Sequence, residues 1–158
     1  MLFLKFRIGS EGYALDATQI AEVLPLLEIT RVPQAPAGVA GLINYRGRSV
    51  PVIDLSDLML GEPARLHIST RLILVRYGEH LLGLIAEQAT ETMRREAASF
   101  ADSGIASDAA PYLGPVTQDG GRLIRWIEVQ KLLPAAVSSV LFRRTEENSW
   151  STPESPRC

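Results

Sequence analysis

Few side chains in this chain of 158 residues could do covalent or acid–base chemistry, and none stands in a motif that would use it. His67 and His80 are the two histidines, and neither belongs to an H-x-x-x-H run or a cysteine cluster, the spacings that hold zinc. Cys158 is the one cysteine, at the last position, with no base at fixed spacing to activate its thiol. Asp54 belongs to no acid–base motif, and its place before Leu55-Ser56-Asp57-Leu58-Met59-Leu60 suits a helix cap. Gly120-Gly121 fits a hairpin turn better than a phosphate cradle, and no G-x-x-x-x-G-K-[ST] or G-x-S-x-G run occurs. No catalytic residue, metal or cofactor is therefore expected. The chemistry that remains is recognition. Arg46 stands in the turn Asn44-Tyr45-Arg46-Gly47-Arg48, where a side chain is displayed rather than buried, and arginine is enriched at interface hot spots.

The elements around Arg46 are strands. Val39 to Ile43 and Val50 to Leu55 are short apolar runs bounded by glycine, the pattern of a buried hairpin. The chain also repeats itself. At one constant offset Arg7 meets Arg76, Gly9 meets Gly78, Leu15 meets Leu84, Ala17 meets Ala86, Gln19 meets Gln88 and Glu22 meets Glu91. At a second offset Gly47 meets Gly121, Arg48 meets Arg122, Ile53 meets Ile127 and Leu58 meets Leu132. Each half reads as strand, glycine turn, strand, link, strand, glycine turn, strand. Many short strands with glycine turns imply small sandwiches or barrels, which limit free sheet edges. Two similar β-subdomains are expected, folding as one unit because a half of this length has a marginal core alone. Gly61 stops a short helix over 55–60, and Ala97 to Pro111 is a polar loop. The expected boundaries are one domain over residues 1–143 and a disordered tail over 144–158, in which Trp150 is out of place.

Composition excludes several classes. Lys and Arg total 16 against 18 Asp and Glu, a net charge of −2, which argues against nucleic-acid binding and against adhesion to anionic membrane. A lone cysteine makes no internal disulfide, no apolar run is long enough to span a bilayer, and the N-terminal MLFLKFRIGSEGY alternates like a strand without a cleavage site. Cytoplasmic residence is the resulting expectation, without membrane insertion.

These motifs carry a resemblance. Asn44-Tyr45-Arg46-Gly47 resembles the N-hydrophobe-R-G signature of the CheW family of chemotaxis coupling proteins, and Pro51-Val52-Ile53-Asp54-Leu55 resembles the P-hydrophobe-hydrophobe-D-L that follows it. Thr30-Arg31-Val32-Pro33 and Ala35-Pro36 look like that family's approach to the turn. Thr70-Arg71 to Val75 and Leu82 to Ile85 look like its later strands, and Tyr112-Leu113-Gly114 like its helix before the last hairpin. The resemblance covers about Leu2 to Pro134. It implies a mainly β fold of two pseudo-symmetric, intertwined, five-stranded SH3-like barrels with short helices.

It also implies a non-enzymatic adaptor, recruited to membrane-associated receptor arrays. The adaptor would bridge the cytoplasmic tip of a methyl-accepting chemoreceptor and the regulatory domain of a CheA-type histidine kinase. Ile20, Glu22, Val39, Gly41, Asn44 and Arg46 match the family's receptor- or kinase-binding positions. Gly41 reads as a place where a partner or a neighbouring strand comes close. Asn44 reads as a turn residue bonding its own backbone. Glu22 stays open between contact and structure, because Glu91 matches it in the repeat. The apolar Leu24-Pro25-Leu26-Leu27 departs from the family pattern and is similar to coupling proteins of alternative, Wsp-like chemosensory systems. An alternative from another class is a small β-barrel that binds oligonucleotides, which would need exposed aromatics beside Lys and Arg.

Overall fold

A computed structural model describes residues 1–104 and 108–147. Among these residues nine strands and two α-helices occur: β1 (Leu2–Ile8), β2 (Glu11–Asp16), β3 (Ile20–Pro25), β4 (Val39–Tyr45), β5 (Arg48–Asp54), α1 (Leu55–Leu60), β6 (Arg71–Tyr77), β7 (His80–Arg94), β8 (Leu113–Asp119), β9 (Arg122–Ile127) and α2 (Ala135–Glu147). The strands form two five-stranded units of the same order. The first runs β7-β1-β2-β9-β8 and the second β3-β6-β7-β5-β4. In each unit one pair is parallel: Ala14 faces Trp126 in the first, and Gly83 faces Val52 in the second. Each also closes through an isolated bridge. Thr30, beyond β3, exchanges two backbone bonds of 2.8 Å with Leu42 of β4. Ala101, beyond β7, does the same with Val116 of β8, also at 2.8 Å.

The units are not the two sequence halves. β1 and β2 of the first half join β8 and β9 of the second, whereas β3, β4 and β5 of the first half join β6. β7 serves both, its His80–Ala86 part against β6 and its Glu87–Arg94 part against β1. The barrels therefore interlock, and this follows from alternation. Leu4, Phe6 and Ile8 of β1, and Ile73 and Val75 of β6, face a core shared by both barrels. Phe3 faces the interior of the first barrel, and Leu72 and Leu74 that of the second. With a period of two, one strand buries apolar groups on both faces only when it lies between two cores.

The expected helix over 55–60 is present. The Asp54 carboxylate accepts from Ser56 N at 3.0 Å and Asp57 N at 3.3 Å, and Gly61 ends the helix at φ 78°. A third bond, from Ala64 N at 2.9 Å, completes the shell of this buried acid. Burial pushes its carboxyl above the usual range, against the pull of these backbone donors. The helix expected at Tyr112-Leu113-Gly114 is not formed. Tyr112 is buried against the shared core, Leu113 opens β8 opposite Ile127, and a Cβ on Gly114 would lie 2.9 Å from the Trp126 carbonyl. Strand pairing against β9 takes these residues.

Helix α2 stands where no helix was expected. Its Phe142 stacks on Tyr77 and His80, with ring centroids 5.5 and 4.5 Å away, and Val137 and Leu141 pack beside it. The helix runs to Glu147, so the chain expected as a tail starts inside it. The remainder, with Trp150 and Cys158, lies outside the described residues.

Because the central core belongs to both barrels, they should unfold together. Leu84→Ala, at a fully buried shared position, is expected to cost about 2–5 kcal/mol. Far-UV circular dichroism and the near-UV signal of the Phe3–Phe100–Trp126 cluster should then move to lower temperature as one transition. Two separated transitions would contradict the shared core.

Candidate functional site

The turn after β4 is a two-residue hairpin. Arg46 has φ 52° and Gly47 φ 81°, and Asn44 Oδ1 accepts from Gly47 N at 3.0 Å, so Asn44 bonds its own backbone as expected of a turn residue. In the repeat the β8–β9 turn is Gly120-Gly121, with φ 61° and 83°. The backbone conformation is shared, but only the first turn places a side chain at its left-handed leading position. For a residue with a Cβ that conformation costs about 1–2 kcal/mol.

Arg46 is 72% exposed and Glu22 35%, and their closest approach is 3.3 Å between Nη2 and Oε1. The Tyr45 hydroxyl donates to the same Glu22 oxygen, and the Arg46 guanidinium carbon lies 4.9 Å from the Tyr45 ring centroid. The bond to Glu22 raises the Tyr45 phenol above its ordinary range, with burial second. An exposed ion pair contributes about 0–1 kcal/mol, no more than the turn strain takes away. Folding energetics therefore give no reason for an arginine here.

The six expected residues do not form one cluster. Glu22 and Arg46 meet directly, and Asn44 shapes their turn. Ile20 is half-buried against the shared core, and its carbonyl accepts from Arg76 at 3.0 Å. Val39, also packed on that core, shares a cavity of about 280 Å³ with Gly41, Val32, Pro36, Val140 and Leu141. Gly41, at φ 148°, makes room for a neighbouring strand segment: a Cβ there would lie 2.2 Å from the Thr30 carbonyl. Leu24, Leu26 and Leu27 pack into the second barrel's interior, so this unusual apolar run serves the core.

Sequence reasoning missed the matching network on the first barrel. Lys5 lies 2.6 Å from Asp119 and 3.3 Å from Glu91, and Arg95 lies 2.7 Å from Asp119. Glu91 is the repeat partner of Glu22, and Asp119 stands where Tyr45 stands, so each hairpin base is tied to the acid of a neighbouring strand. Lys5, Glu91 and Asp119 border a cleft of about 680 Å³ that also takes in Arg7, Arg122 and Leu123. The repeat signal at Glu22 and Glu91 was the available clue. Its ionic meaning needed Lys5, which pairs with Glu91 across β1 and β7. Among the described residues no group of three or more His, Cys, Asp or Glu could hold a metal, and no helix is long and apolar enough to cross a membrane.

Two interlocked five-stranded barrels with an arginine-bearing turn define a binding domain of the coupling-protein type. The sequence model of the CheW-like domain matches residues 2–137, and the chain belongs to that family. It is 26% identical over 133 residues to the chemotaxis protein CheW of Klebsiella aerogenes, covering 83% of this chain and 80% of that protein. It is 28% identical over 144 residues to the protein FrzA of Myxococcus xanthus, covering 89% and 90%. Among solved structures, the scaffolding protein TtCheW of Thermoanaerobacter tengcongensis superposes with a TM-score of 0.78 at 25% identity, covering 86% of this chain and 89% of that one. The chain is accordingly a scaffold-type adaptor of a chemotaxis family and not an enzyme.

Two outcomes test this geometry. Arg46→Gly should leave Tm within about 3 °C of wild type, because strain relief offsets the lost pair; a fall of about 10 °C would make Arg46 a structural residue. The second concerns pH. Lys5, then Arg95, holds the Asp119 carboxyl below its ordinary 3.8, and the same contact to Asp119 holds the Lys5 amine above 10.5. A depressed acid stabilises the fold above its unfolded pKa, and that contribution is lost as pH falls through the folded value. A raised amine stabilises below its unfolded pKa and loses this as pH rises through the folded value. The Tm gap between wild type and Asp119→Asn should therefore hold across neutral pH, close as pH falls below about 4 and narrow above about pH 10.5, where Lys5 loses its charge and Arg95 keeps its own. A gap independent of pH would contradict the network.

Proposed function

We propose that this chain couples a methyl-accepting chemoreceptor to a CheA-type histidine kinase by non-covalent docking, in arrays held at the membrane by the receptors. The observation that carries this is Arg46: an exposed guanidinium held at a left-handed turn position that glycine fills in the repeat, with no gain to folding. The helical tip of the receptor would lie against the face that carries Glu22, Arg46 and Asn44; Ile20 and Val39, each half-buried, would add apolar contact, and Gly41, buried against the Thr30 segment, would act only by shaping β4. The kinase's regulatory domain would pair with the barrel ends. Neither contact alone need be strong, since partners fixed in an array gain avidity from one another.

The oligonucleotide reading finds less support. A base-stacking platform needs aromatic faces open to solvent beside cations. Here Phe3 and Trp126 meet edge-to-face at 4.9 Å and Phe100 packs against them at 5.1 and 5.0 Å, inside the first barrel. The nearby Lys5 is held by acids.

The test is co-purification with a receptor signalling tip and a CheA-type regulatory domain from the same organism. Wild type should retain both. Arg46→Glu, which sets a second acid beside Glu22, should lose the receptor tip by more than about tenfold in affinity while staying folded. Retention of both partners by Arg46→Glu would take the turn out of the docking face. Failure of wild type to retain either partner would end the coupling reading.

A further inference from the structure

We infer that the β4–β5 turn receives a carboxylate of the docked partner helix, with Tyr45 as the residue that positions Arg46 and Arg48 as the second cation; this rests on the coupling reading above. Tyr45 touches both members of the pair. Its hydroxyl donates to Glu22 Oε1, the oxygen that also receives Arg46, and its ring lies under the Arg46 guanidinium. The ring is itself anchored, half-buried against the second barrel's interior. Arg46 is thus held from two sides while most of its surface faces solvent.

Arg48 completes the charge. It stands directly opposite Tyr45 in the β4–β5 register, so the two side chains share one face, and its charge acts on the Tyr45 phenol. Among the described residues it has no hydrogen bond or ion pair. Two guanidiniums against one carboxylate leave the turn with an excess positive charge. Arginine's planar fork suits a carboxylate acceptor, and a side chain already held in place loses less freedom on binding. The other barrel lacks this arrangement. Arg122 matches Arg48 and lies opposite Asp119, but Asp119 stands in place of Tyr45 and Gly120 in place of Arg46, so the turn carries no guanidinium and no ring to hold one, and Lys5 and Arg95 are engaged by Asp119. The carboxylate receptor is therefore built into one barrel only.

The experiment titrates wild type, Tyr45→Phe and Arg48→Gln with a receptor signalling-tip hairpin at low and high salt. Tyr45→Phe keeps the packed ring and removes only the hydroxyl, so it should stay folded and bind about three- to tenfold more weakly. Arg48→Gln should bind more weakly and with a flatter salt dependence. Wild-type affinity in Tyr45→Phe, or an unchanged salt dependence in Arg48→Gln, would overturn the inference. A second measurement needs no partner: nitrogen relaxation of the Arg46 side-chain Nε–H should report a rigid group in wild type and a mobile one in Tyr45→Phe. Equal mobility in both removes the positioning role whatever the chain binds. Wild type that binds no tip overturns the coupling reading and the docked carboxylate together, and a rigid Arg46 in that case leaves the positioning role of Tyr45 standing.

Discussion

Strand β7 is the constraint on which the rest depends. It lies in both barrels, pairing with β5 and β6 up to Ala86 and with β1 from Glu87 onward. Gln88, at φ 51°, marks the crossing, a left-handed residue where the strand leaves one barrel for the other. Leu82, Leu84 and Ala86 on one side of the crossing and Ala89 beyond it all face the common core, together with residues of β1, β6 and the segment after β9. Neither barrel can close without the strand that the other also needs. A pair of half-chains, each with too little apolar surface to fold alone, becomes one cooperative unit by this sharing.

That rigidity explains how an exposed two-residue turn can present a defined surface. The β4–β5 hairpin is held by β7 along β5, by the Thr30 bridge along β4 and by Glu22 at its tip. A side chain on such a turn loses little freedom when it binds. The two barrels share a backbone plan, and the differences between them are differences of side chain. Barrel symmetry asks for a tight turn and a tie to the acid on a neighbouring strand, and both are met twice. The arginine and the tyrosine beneath it occur in one barrel only, and the proposed docking role rests on that difference.

Much of the fold was legible in local pattern. The glycines at 9, 47, 78 and 121 all have positive φ, and each lies in the turn that alternation predicted. The repeat foretold two similar units, and Asp54 and Gly61 bounded a helix as capping chemistry requires. The candidate docking residues were legible as types but not as a group. Glu22 was readable as a contact or as a structural acid, and the structure gives it a bond to Arg46 and a counterpart in the Lys5–Glu91–Asp119 network. Tyr45 drew no attention, because its hydroxyl matters only once β3 brings Glu22 beside it. Helix α2 was missed because Ser138 and Ser139 break its apolar pattern, and the stack of Phe142 on Tyr77 and His80 compensates.

The sequence by itself determined the elements, the turns and the repeat, because these follow from backbone preference and from the period of apolar residues over a few positions. It also carried the family signature around Arg46. Tertiary structure alone decided which strands share a barrel, since the same alternation is satisfied by closing each half on itself or by exchanging strands between halves. The exchange prevails because it gives β6 and β7 buried apolar groups on both sides, and β1 a buried Phe3 opposite its core-facing Leu4, Phe6 and Ile8. Tertiary structure likewise decided which acid meets which base, because a charge finds its partner through space, and Glu22 and Arg46 lie far apart along the chain.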